Sequence, residues 1–180
     1  MEVKDYPNLL KAFAKLHEAH LPAKLWIAGD GDLLVQLQDL SRALGVHNHV
    51  RFLGMRTDIP ELLNAADVFV LPSRFEGFGI VVAEAMATEK VVVATDCGGV
   101  KEVLGSCGFL VRPGDSEELA GALRDALLLG DEKAKEIGRQ ARRRVETFFS
   151  IEAIADRWAE LYEITCLKAS TQALRAPDLR

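Results

Sequence analysis

The chain has 180 residues and a formal net charge of −5, so it is long enough for one domain with a sizeable core and gives no electrostatic case for nucleic acid as a partner. Hydrophobic residues make up 49% and charged residues 27%, an ordinary globular composition, and no apolar run approaches the ~18–20 residues needed to span a bilayer. Cys97, Cys107 and Cys166 show no metal-ligand spacing, and their odd count argues against a disulfide framework, so reduced thiols in a cytoplasmic setting are expected.

The opening MEVKDYP lacks the basic and apolar regions of a signal peptide, so any membrane contact is expected to be peripheral. Residues 8–19 put Leu9, Leu10, Phe13 and Leu16 on one face and predict an amphipathic helix, with Pro7 suited to its first turn. Residues 24–28 (KLWIA) read as a buried strand, followed by Gly29-Asp30-Gly31-Asp32 and a helix through Leu44 with Gly45 as its cap. A further strand is expected over 49–53 and a short helix over 59–66, with a loop at 54–58 between them. Residues 67–71 (DVFVL) form a short apolar, β-branched run that predicts a buried strand.

The stretch FEGFGIVVAEAMA, residues 75–87, then places Glu76, a Gly77-Phe78-Gly79 turn and an apolar helix carrying Glu84 directly after that strand. A helix starting near Gly79 points free amides and a partial positive charge at whatever occupies the turn, which favours phosphate. Its glycines let backbone approach a ligand closely. Carboxylates accept hydrogen bonds from hydroxyl pairs, so Glu76 and Glu84 suit the two ends of one ligand with hydroxyls at each tip and an anion between them. A nucleotide-sugar has that layout. The apolar residues Ile80, Val81, Val82, Ala83 and 85–87 are expected to pack the helix through their side chains.

Strand 91–94, the turn Thr95-Asp96-Cys97-Gly98-Gly99, helix 100–104 and strand 108–111 follow. Three helices are predicted to finish the chain, over 117–129 with Ser116 as cap, 132–148, and 151 to about 167 with Ser150 as cap. The tail 169–180 is expected to fray, leaving residues 1–168 as one domain. Apolar strands alternating with helices predict an α/β fold, a doubly wound parallel sheet covered on both faces, whose ligands bind beyond the carboxyl ends of the strands.

Several segments in this order resemble the C-terminal, donor-binding domain of GT-B-fold retaining glycosyltransferases of the group 1 type. They are KDYPNLLKAFA, LWIAGDGD, VRFLGMRTDIPELLNAADVFVLPS, EGFGIVVAEAMA, VVATDCGGVKEVL, GFLVRPGD and FSIEAIADRWAELY, together covering roughly residues 4–165. The resemblance implies a UDP- or GDP-linked sugar as the donor, with Glu84 on the ribose hydroxyls. It implies Glu76 and the backbone of Gly77, Phe78 and Gly79 on the transferred sugar, the Ile80 and Val81 amides near the diphosphate, and Lys4 neutralising that diphosphate. Gly54, Met55 and Arg56 would lie beside the base, and no metal would be obligatory. It also implies an arginine and a strand before Lys4 and, before those, an acceptor-binding domain, so the chain alone is expected to be inactive.

Other motifs read differently. Gly29-Asp30-Gly31 fails as a dinucleotide fingerprint, because Leu34 takes the third glycine position and no acidic residue closes the next strand. His17, His20, His47 and His49 look scattered over surface and boundary positions. Arg139, Arg142, Arg143 and Arg144 form a basic patch, read as a solvated face with anionic lipid headgroups as the alternative. Asp96 and Glu102 suit helix capping and ligand contact equally. A non-catalytic module that docks on a separate acceptor domain is the competing function, since Ile151, Ile154, Trp158 and Leu161 on the last helix are expected to lack part of their cover in this chain.

Overall fold

A computed structural model describes residues 2–173. After a 3₁₀ turn, Glu2–Lys4, the elements are α1 (Tyr6–Glu18), β1 (Leu25–Ala28), α2 (Leu34–Ala43), a second 3₁₀ turn (His47–His49), β2 (Val50–Gly54), α3 (Ile59–Ala65) and β3 (Val68–Leu71). They continue with α4 (Ile80–Ala87), β4 (Val91–Thr95), α5 (Val100–Leu104), β5 (Phe109–Val111), α6 (Ser116–Leu127), α7 (Asp131–Phe148) and α8 (Ile151–Ala173). Element order and type match the sequence reading. Residues 174–180, most of the tail expected to fray, lie outside the described residues.

Caps account for several boundaries. Gly45, at φ 72°, ends α2 in the left-handed region, and the Val46 amide reaches back to the Ser41 carbonyl. Ser150 caps α8 by accepting from the Ala153 amide. The α6 cap is Asp115, not Ser116: its carboxylate accepts from the Glu117 and Glu118 amides. Those two bonds, together with the Arg112 guanidinium, hold the Asp115 carboxyl below its ordinary range.

All strand pairs are parallel, in two ladders: β1 with β2, and β3–β4–β5 with β4 in the middle. Among the described residues no pairing joins β1 to β3, so each keeps one open edge. The expectation of strands covered on both faces holds across the β3–β4–β5 ladder and most completely for β4, which is buried along its whole length. In β1, burial alternates and Trp26 is 43% exposed; in β3, Val68, Phe69 and Val70 are half-buried. An apolar run marks a strand but does not reveal whether a neighbour covers both its faces.

Two apolar clusters flank the β3–β4–β5 ladder. On one side Leu9, Leu10, Phe13 and Leu16 of α1 meet Leu119, Leu123 and Ala126 of α6. On the other, Val82, Ala85 and Met86 of α4 meet Val100, Val103 and Leu104 of α5 and Ala141 of α7. A fully buried aliphatic side chain contributes about 1.5–3 kcal/mol, so these clusters outweigh any single polar contact in the molecule. Gly138 permits the α7 approach, since a Cβ there would meet the Glu89 carbonyl oxygen at 2.2 Å.

Candidate functional site

Because every strand is parallel, the loops after their carboxyl ends lie along one edge of the sheet. Hydrogen bonds tie these loops together. The Gly29 amide donates to the Gly54 carbonyl at 2.8 Å, joining the loops after β1 and β2. The Gly99 amide donates to the Gly77 carbonyl at 2.8 Å, and the Asp96 amide to the Val111 carbonyl at 2.7 Å. Gly98 sits at φ 54° directly against the loop after β3, where a Cβ would lie 1.7 Å from the Glu76 carbonyl oxygen. Only glycine fits that approach.

The N-terminal turn is strapped to the same loop. The Arg74 amide donates to the Val3 carbonyl at 2.8 Å, and its Nε donates to Oδ2 of buried Asp5 at 2.8 Å. Lys4, carried between those two anchors, donates from Nζ to Glu76 Oε1. Ser73 Oγ donates to the same oxygen at 2.8 Å. The Glu76 side chain is 14% exposed and still opens on the cleft.

Beyond Glu76, Gly77 and Phe78 are exposed, and Gly79 at φ 83° begins α4. Among the described residues the Ile80 and Val81 amides have no acceptor, while the Val82 amide turns back to the Gly79 carbonyl at 2.9 Å. Open amides at a helix start, with the macrodipole behind them, form a donor set for an anion. Glu84 lies one turn further along, about 6 Å at about 1.5 Å per residue, and its side chain is exposed. Ile80 is 64% exposed and Val81 37%, so these two side chains do not pack the helix as the sequence suggested; Val82, Ala85 and Met86 do.

The remaining sequence candidates separate. Met55 is 79% exposed at the tip of the loop after β2. Arg56 beside it makes a two-point contact with Asp58, which raises the guanidinium pKa and lowers that of the carboxyl. Asp96 faces Lys101 at 3.9 Å and does not cap α5, whose N-cap is Gly99 without a side-chain bond. The basic patch is internally paired: Arg139 and Arg143 to Glu136, Arg142 to Glu146, and Arg144 to the Glu102 and Val103 carbonyls. The histidines are not all scattered. The His17 and His49 rings stand 4.4 Å apart and line, with His20, Leu21 and Pro22, a hollow of about 220 Å³ at the opposite, amino-terminal edge of the strands. Among the described residues no group of three His, Cys, Asp or Glu side chains is placed to hold a metal, and no helix is long and apolar enough to cross a membrane.

Ser73, Thr95, Asp5 and Arg74 are the site residues that sequence reasoning passed over. One signal was present: Ser73 stands three residues before Glu76, the spacing at which a hydroxyl and a carboxylate meet across one turn.

Known proteins resemble this chain in sequence and fold. The family model described as "Glycosyl transferases group 1" matches residues 1–144. N-acetyl-alpha-D-glucosaminyl L-malate synthase of Bacillus anthracis is 33% identical over 163 residues, 89% of this chain and 42% of that protein. The crystal structure of Anabaena Alr3699/HepE in complex with UDP superimposes with a TM-score of 0.82 at 32% identity, covering 91% of this chain and 46% of that one. A glycosyltransferase from Rickettsia africae ESF-5 gives 0.83 at 28% identity, covering 91% and 45%. The chain thus spans less than half the length of these relatives. With the family model matching most of its length and relatives more than 30% identical over nearly all of it, this chain belongs to the group 1 glycosyltransferases.

Proposed function

We propose that this chain binds the nucleotide-diphospho-sugar donor of a retaining glycosyltransferase that passes a hexose to a glycan or lipid-linked acceptor. The observation that carries the reading is the open amino end of α4, with unpartnered amides at Ile80 and Val81 and a carboxylate on either side. The diphosphate lies against those amides, and Glu84 accepts from the ribose hydroxyls. Glu76 accepts from the sugar, with the backbone of Gly77, Phe78 and Gly79 leaving room for it. Met55 and the adjoining Gly54 and Arg56 border the base.

As the bond from sugar to diphosphate breaks, negative charge grows on the departing phosphate. Helix dipole and open amides are already aimed at that charge and need little reorganisation, and the Lys4 ammonium, bonded to Glu76, keeps two further N–H donors to offer it. A metal is not required for that task. The acceptor, and any group that handles its proton, come from the rest of the protein, so this chain alone performs no transfer. The UDP-bound Anabaena relative supports a nucleotide as the ligand.

Calorimetric titration with UDP and GDP tests the reading. Millimolar or tighter binding of one nucleotide is expected, and no binding by folded protein at millimolar nucleotide overturns it. A second reading, a docking module without catalysis, is favoured by α8, where Ile151, Trp158, Leu161 and Tyr162 are each more than half exposed. Such a module binds neither nucleotide and depends on α8 for its association state, which light scattering on Trp158→Ala measures.

A further inference from the structure

The Glu76 carboxylate is divided between the protein and the cleft. Ser73 Oγ and Lys4 Nζ both donate to Oε1, and among the described residues no donor reaches Oε2. A carboxylate oxygen has about two lone pairs, so Oε1 is filled and Oε2 is the acceptor left over. The two donors differ in kind. Lys4 is 46% exposed on a long flexible stem and supplies charge. Ser73 is fully buried, with a single short rotor, and supplies geometry.

Ser73 is itself seated from below. Thr95, the last residue of β4 and fully buried, donates from Oγ1 to the Ser73 carbonyl. A rigid central strand therefore fixes the loop, the loop fixes the hydroxyl, and the hydroxyl fixes one oxygen of the carboxylate. Without Oγ the only side chain left on Oε1 is the mobile lysine.

We propose that Ser73 is a positioning residue, whose hydroxyl, held by Thr95, turns Glu76 so that Oε2 meets a hydroxyl of the donor sugar. The inference rests on the nucleotide-sugar reading of the site and adds the group that sets how much of the affinity comes from the sugar. Ser73 touches no ligand in this account; it acts through Glu76 alone.

The test compares two affinities in one protein by calorimetry: UDP-glucose against UDP, with GDP-mannose against GDP in parallel. Ser73→Ala is expected to lower the sugar-nucleotide to nucleotide affinity ratio about tenfold, the scale of one hydrogen bond to a charged group, and to leave nucleotide affinity within about twofold. Thr95→Val lowers the same ratio by less. On a Glu76→Ala background, Ser73→Ala lowers it no further. An unchanged ratio in Ser73→Ala, an equal loss of nucleotide and sugar-nucleotide binding, or an additive loss on the Glu76→Ala background overturns the proposal and leaves the site reading intact. Wild-type protein that is folded but binds neither nucleotide overturns the site reading and the proposal together.

Discussion

Glu76 and Glu84 are chemically the same group, eight positions apart, and they stand in opposite relations to the fold. Glu76 is mostly buried, holds two donors and sits on backbone latched to Gly98 and Gly99. Glu84 projects from a helix face, and among the described residues nothing hydrogen-bonds its carboxylate; only its carbonyl is used, by Thr88. One acid is tied into the scaffold, whereas the other contributes no side-chain contact to it.

Substitutions at each end separate the two roles. The largest effect is expected from Gly98→Ala, which drives a methyl into the Glu76 carbonyl at a left-handed backbone position. A cost above about 1 kcal/mol lowers Tm by about 2–4 °C or more in a domain of this size, and the donor-sugar contribution to binding goes with it. Glu76→Ala comes next. It leaves the buried Ser73 hydroxyl without an acceptor, so a stability loss of about 1 kcal/mol accompanies weaker sugar-nucleotide binding, read by melting and calorimetry together.

Glu84→Ala sharpens the contrast. UDP affinity falls by about tenfold to a hundredfold, for hydrogen bonds worth about 1.5–3 kcal/mol to a charged acceptor, while Tm stays within about a degree. A clear drop in Tm would erase the distinction drawn between the two acids. The smallest effect is expected at Asp115→Asn, in the loop after β5. Its folded carboxyl titrates below the ordinary range, so its contribution is complete above about pH 4 and fades as pH falls through the folded value. Melting curves of wild type and variant should therefore differ at neutral pH and converge in strong acid.

Periodic features were legible in the sequence. The α1 stripe, the apolar strands and the glycine turn each declare themselves within a few residues, and the structure places them as read. Two kinds of feature were not legible. Contacts between distant positions, such as Asp5 with Arg74 and Lys4 with Glu76, need the chain to be folded before they exist. The α4 helix is apolar at every position but Glu84, so its periodicity is too weak to tell packed Val82 from open Ile80. The arginine patch, read as a solvated face, is one: Arg139, Arg142 and Arg143 stay exposed, and the pairing of Arg139 with Glu136 and of Arg142 with Glu146 follows from the three- and four-residue spacings.

The ring of Phe78, inside the glycine turn, meets Phe149 edge to face at 5.5 Å. Behind it Arg144 lies 5.9 Å from the Phe149 ring and bonds the Glu102 and Val103 carbonyls, at the far end of α5 from Gly99. Ser150 alone separates Phe149 from the root of α8. The glycine turn and the root of the long helix thus share one aromatic contact, so a change in how α8 is seated is felt first at Phe149 and, through its ring, at Phe78.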